Sequence, residues 1–430
     1  MDRRFLRDAR WLTADRVEAV ARVLLVVECG LVASIPWSLP AMQVGRDFAA
    51  FWTAGRLALQ GRAADAYGAP AQAALAALFG PGGYPPFFYP PTALLIFWPF
   101  ALLGFAGAVA LWVAISGAAY AVAVRALLAN RSWLPALAFP AVPITVLYGQ
   151  NSLFSAALFA AAALTLRARP VLAGMAIGCL AFKPQLAALA PFALAAGGRW
   201  RAFVAAAATV AVLVAASALA FGVESWAAFV AALPQANDWN AGGRPGFDRF
   251  ASVYAAARML GAPGGVALGV QAIAGLGALS LLVALARRRP GGAAEMAALV
   301  AMSAFSVPFL GLYELVIFVV PAAWLVAEAA RAGWLPYERV LLAVLFASPL
   351  AILPFAVHGV PLAPAALAVL AALVARRIVR PGPLPLDRHT NPACGIPKNP
   401  SDSVIHQSNF MACSSSSARS CVMARKHSAA

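Results

Sequence analysis

Only 11% of this 430-residue sequence is charged, so the polar side chains set among apolar neighbours carry most of its chemical information. Arg46 and Asp47 open the stretch VGRDFAAFWTAGRLAL, just after the first long apolar run. A carboxylate at a membrane edge, facing a cavity, is placed to act as a general base. Asp is also a favoured helix N-cap, so Asp47 taken alone reads first as the cap of the segment behind it. Gln150 and Asn151, in YGQNS, and Lys183 and Gln185, in FKPQ, form a second group. Polar and ionisable groups at membrane depth are costly and point to function by default. A lysine there suits a phosphate as a compact charge, or else snorkels to an interface. Tyr84 and Tyr89 sit in YPPFFYPP, where paired prolines force extended backbone. Both rings are thereby held on a stiff stalk, as substrate contacts or as interfacial anchors. Tyr313 and Glu314, in GLYEL, and His358, in VHGVP, mark polar turns, and His358 reads first as a solvated one. The five cysteines show no zinc or disulfide spacing, and nothing in the sequence predicts a metal site or a cofactor.

The elements that must position these groups are membrane helices. The chain is 63% hydrophobic, and its charged share is less than half of the roughly 25% found in soluble domains. A helical crossing needs about 20 mostly apolar residues, and runs of that kind predict an all-α, polytopic bundle of about 11–13 spans. A transmembrane barrel would show alternating strands of about 10 residues, whereas these runs are continuous and rich in Ala, Leu and Val. The net charge of +16 comes as short arginine clusters between the runs, not as one basic face. That pattern is a positive-inside signal and not a nucleic-acid surface. With the clusters in the cytoplasm, every polar motif above falls on the extracytoplasmic face.

Several local expectations follow from the same reading. Phe48, Phe51, Trp52, Gly55 and Leu59 share one helical face, with Ala49, Thr53, Arg56 and Gln60 on the other. This predicts an amphipathic helix lying along the membrane surface in the first outer loop. Residues 87–124 hold two apolar runs where charge alternation admits an odd number of crossings. Either one run does not cross, or residues 125–131 lie outside. The two arms around Lys183 are about 12 residues each, short of the ~17 that span comfortably, so their polar tip is expected in a cavity. The first apolar run reads as an uncleaved signal anchor. Residues 1–380 are expected to form the membrane domain, and the Ser- and Pro-rich residues 381–430 a disordered tail.

In order, GRDFAAFWTAG, YPPFFYPPTALL, GQNSLFSAA, FKPQ and SVPFLGLYEL resemble the bacterial DUF2029, or glycosyltransferase family 87, proteins. The resemblance implies a GT-C type bundle in the bacterial inner membrane, with an extracytoplasmic active site. It implies transfer of a hexose, mannose in the characterised members, from a polyprenyl-phosphate donor to a glycolipid or polysaccharide acceptor, with inversion. Asp47 matches the family's base and Lys183 the place of the donor phosphate, and Arg46, beside the base, is expected to help hold that phosphate. Tyr89, Gln150, Asn151, Gln185, Tyr313, Glu314 and His358 are then expected to contact the substrates. Relatives often carry Tyr-Asp where this chain has Tyr313 and Glu314. Such a transfer needs a base on the acceptor hydroxyl, a stabilised phosphate leaving group and alignment of the two, and does not require a bridging metal. A transporter or flippase would use the same lysine and carboxylate as binding groups, but the motifs share one face and no inverted repeat is visible. A subunit without chemistry would leave Asp47 a cap and Lys183 an interface anchor.

Overall fold

A computed structural model describes residues 3–38, 44–80, 85–243 and 246–380. Tyr84 and the polar sequence beyond Arg380 lie outside the described residues. The chain opens with α1 (Arg3–Asp8) and α2 (Ala14–Ser38), followed by α3 (Arg46–Leu59) and α4 (Ala69–Phe79). A short helical stretch, Pro91–Leu102, has α5 (Leu94–Phe97) at its centre. Next come α6 (Phe105–Leu128), α7 (Leu134–Leu137), α8 (Ala141–Tyr148) and α9 (Ser152–Thr165). Two short arms, α10 (Pro170–Gly178) and α11 (Ala190–Ala196), meet through 3-10 turns on either side of Lys183. The second half contains α12 (Trp200–Phe221), α13 (Val223–Ala241), α14 (Val253–Met259), α15 (Gly264–Arg287) and α16 (Gly292–Ser303). It ends with α17 (Val319–Ala332), α18 (Glu338–Val357) and α19 (Ala363–Val379).

The molecule is an all-helical, polytopic membrane bundle, as composition predicts. Among the described residues, five helical runs of 20–24 residues are long and apolar enough to cross a bilayer: α6, α12, α15, α18 and Leu312–Ala332, which contains α17. Among the described residues the only β-type pairing is one isolated bridge, Phe250 to Gly311. This follows from solvation, because in hydrocarbon every backbone amide needs a protein partner, and a helix supplies it within its own segment. Small residues set the closest contacts. A Cβ on Gly174 would collide with the Ala202 carbonyl, and one on Gly178 would lie 2.7 Å from that of Ala206. Glycines four apart thus bring α10 against the backbone of α12, the small-residue packing that apolar solvent favours.

The helix after Asp47 departs from expectation. Phe48 to Gly55 are all buried, Ala49 and Thr53 included, and only its C-terminal end, at Arg56, Leu59 and Gln60, is exposed. It is an internal helix and not one lying on a surface. Phe48 sits at the centre of an aromatic cluster with Phe51, Phe97, Phe100, Phe105 and Trp112, while Phe51 stacks on Phe97 at 4.4 Å. Ala49 and Thr53 are small enough to be covered by neighbouring segments.

The two apolar runs of residues 87–124 also resolve. Pro91–Leu102 begins beside Tyr89, which meets Gln150, and ends where the Leu103 carbonyl accepts the Trp52 indole N–H at 3.0 Å. Both ends therefore lie against α3. Phe105 and Val109 of α6 approach Gly45, and the Gly45 N–H donates to Leu147 of α8 at 2.7 Å. The first run does not cross, α6 does, and residues 125–131 lie at the far end of the bundle. Arginines collect at that far end. Arg199 pairs with Glu295 there, and Gly292 packs on Arg167. A fully buried pair, Glu338 and Arg377 (2.9 Å, side chains 1% and 0% exposed), ties α18 to α19. Glu338 also accepts the Leu335 N–H, and Arg377 donates to the Gly333 carbonyl.

Candidate active site

At the opposite end, segments remote in sequence bring most of the predicted polar residues together. α3 is capped by Gly45, in left-handed backbone (φ 69°), and Asp47 sits inside its first turn. Asp47 is therefore not the cap. Its Oδ2 instead accepts a 2.6 Å hydrogen bond from Gln150 Nε2. Gln150 is delivered by the end of α8, where Gly149 is left-handed (φ +65°) and a Cβ would lie 2.7 Å from that of Phe48. Tyr89 and the Asn151 N–H both donate toward Gln150 Oε1, each at 3.4 Å. With its oxygen engaged, the amide presents its NH2 to the carboxylate.

Lys183 lies between the two 3-10 turns with its side chain 4% exposed, and its ammonium pairs with Glu314 at 2.5 Å. It also donates to Asn151 Oδ1 at 3.2 Å and stands over the Tyr89 and Tyr313 rings, at 5.5 and 5.4 Å. The other Glu314 oxygen accepts the Gly311 N–H at 2.8 Å. The lysine expected to meet a phosphate is thus already matched by a buried carboxylate. The variant acid of GLYEL, Glu314, is its partner.

Two participants escape the sequence reading. Arg249, exposed on the turn before Phe250, reaches the Tyr148 hydroxyl at 3.4 Å, and its charge bears on Asp47. Tyr148 immediately precedes the Gly149 turn. The available signal was FDRF, a charged pair framed by aromatics within a long polar loop. Burial pushes the Asp47 carboxyl above its usual range, while the Gln150 hydrogen bond and the charges of Arg46, Lys183 and Arg249 pull it back. Gln185 and His358 are exposed, with no described contact to this cluster. The His358 ring instead meets the Pro354 carbonyl, at 2.7 Å.

An apolar groove of about 610 Å³ is lined by Pro90 and Pro184, the residues after Tyr89 and Lys183, together with Ile177, Val210, Trp226 and Phe229. The family model for glycosyltransferase family 87 matches residues 87–312, more than half of the chain. The chain belongs to glycosyltransferase family 87. No curated protein and no solved structure matches it. The family 87 match takes in Tyr89, Gln150, Asn151, Lys183 and Arg249 and ends just before Glu314. Asp47 lies upstream of the matched span and reaches this family 87 cluster through Gln150.

Proposed function

We propose that this family 87 glycosyltransferase moves a hexose, mannose by family resemblance, from a polyprenyl-phosphate carrier to a glycolipid or polysaccharide acceptor on the extracytoplasmic side, with inversion. The observation that carries the reading is the meeting of Asp47 with Gln150 beside two arginines, with an apolar groove adjoining at Pro90 and Pro184. The groove suits a prenyl chain. Arg46 and Arg249 suit the phosphate that joins that chain to the sugar, since charge-assisted hydrogen bonds to phosphate are strong. Asp47 takes the proton of the acceptor hydroxyl as its oxygen attacks the anomeric carbon from the face opposite the leaving group. The bond from that carbon to the phosphate oxygen breaks, and its electron pair leaves on the phosphate, where the arginine charges stabilise it.

The test is reconstitution of the purified protein in liposomes with labelled polyprenyl-phosphate mannose, polyprenyl-phosphate glucose or a nucleotide-linked mannose. Transfer from the lipid-linked sugars alone is expected. Equal transfer from the nucleotide sugar would overturn the donor assignment. Arg249→Ala is expected to raise the donor KM about tenfold and to lower kcat about tenfold as well, because the charge binds the donor phosphate in the ground state and stabilises the further charge that develops on it in the transition state. Initial rates against donor concentration measure both constants, and an unchanged KM would remove Arg249 from the donor site.

A further inference from the structure

We propose that the buried Lys183 and Glu314 pair is a brace that sets the alignment of Asp47 against Arg249, with Lys183 acting as a positioning residue and not as the ligand of the donor phosphate. The inference rests on the role proposed above for Asp47. Two arms leave the pair. On one side Lys183 holds Asn151 and covers Tyr89. Asn151 is the neighbour of Gln150, and both Asn151 and Tyr89 donate to the amide that grips Asp47. On the other side Glu314 fixes the Gly311 N–H, and Gly311 bridges to Phe250, the residue after Arg249. The Ala251 N–H donates to the Leu310 carbonyl at 2.6 Å, and Ser252 bonds Pro308. The turn carrying Arg249 is therefore registered on the segment that Glu314 caps.

The energetics favour a brace over a phosphate ligand. Lys183 has its charge matched, donates to Asn151 and is covered by protein, so a phosphate would have to enter a buried site against the repulsion of Glu314, or displace Glu314 and leave that carboxylate without its counter-charge. Removing one member of such a pair is far more disruptive than replacing both. A small misalignment of reacting groups can cost about 10²-fold in rate, which would appear in kcat. The charged and titratable groups facing Asp47 are Arg46 on its own helix and Lys183 and Arg249 across the site, with Tyr89, Tyr148, Tyr313 and Glu314 around them.

The experiment compares Lys183→Met, Glu314→Gln and the double variant Lys183→Met/Glu314→Met with wild type in lipid nanodiscs. It measures kcat, donor KM, the pH dependence of kcat and thermal unfolding. Lys183→Met is expected to lower kcat about 100-fold with donor KM changed less than threefold, and the double variant to unfold at a higher temperature than Lys183→Met, since no buried charge is left unpaired. The double variant's kcat is expected to stay at least about tenfold below wild type, because both anchors of the brace are gone. The acid limb of the pH profile is expected to move up in Lys183→Met, which removes a cation facing Asp47. It is expected to move down in Glu314→Gln, which leaves that cation unopposed. Glu314→Gln keeps side-chain volume and an acceptor for Gly311, so it carries the test if Lys183→Met does not fold. A raised donor KM with unchanged kcat, or acid limbs moving the same way or not at all, would overturn the brace. Full transfer by Asp47→Asn would instead overturn the base assignment, so the two failures are distinct.

Discussion

Asp47→Asn is expected to lower kcat by about 10²–10⁴-fold, the range for losing a general base, while the protein still folds. The side chain keeps its shape, and its amide oxygen can still accept the Gln150 hydrogen bond made at 2.6 Å. What disappears is the capacity to take a proton. The pH dependence gives the second readout. Only the ionised carboxylate serves as base, so wild-type kcat rises with pH and is lost on acidification through the Asp47 pKa. Because burial raises that pKa, the limb is expected above the ~3.9 of an unperturbed aspartate. In the Asn variant the acid limb is absent from any residual rate. Labelled transfer near the wild-type rate in Asp47→Asn would sink the assignment.

The second large effect lies at the other end of the bundle and concerns stability. Glu338→Ala leaves the Arg377 guanidinium, itself fully buried, without its counter-charge. Removal of one partner from a buried pair costs about 3–5 kcal/mol. The double variant Glu338→Met/Arg377→Met removes both charges at similar volume and is expected to recover most of that loss. Thermal unfolding of the detergent-purified protein measures it. A Glu338→Ala midpoint within a degree of wild type, or a double variant no better than the single, would contradict the account. Transfer measured below the unfolding range should change little in either variant, because the pair sits at the end of α17 away from Glu314.

Much of the site was legible because membrane sequences spend polar residues sparingly. Charge alternation alone put Asp47, Gln150, Lys183 and Glu314 at one end, and the structure joins them there through Gln150, Asn151 and Tyr89. It could not say that Lys183 and Glu314 are partners, since pairing across many helices leaves no local pattern. Arg249, whose charge bears on Asp47, was missed because a polar loop has no periodicity against which one residue stands out. The surface helix was misread for a related reason. Small residues such as Ala49 and Thr53 are as compatible with a covered helix face as with an exposed one, and only the packing partner decides between them. Hydropathy likewise reports that Pro91–Leu102 is apolar, but not that α3, instead of lipid, covers it.

The short arms around Lys183 carry a further consequence. Each helical arm, Pro170–Phe182 and Pro184–Ala196, rises only about 20 Å at 1.5 Å per residue, against a hydrocarbon core of about 30 Å. Val171, Leu172, Met175 and Phe192 are exposed along them, so lipid meets this thin flank directly. The annular leaflet there must dip to follow it, at a cost of fractions of a kcal/mol per ångström of mismatch. A headgroup riding on a dipped leaflet stands nearer the bilayer midplane than its neighbours do. On the donor reading proposed above, a carrier whose tail fills the adjoining groove would have its phosphate lowered by the membrane itself at this flank.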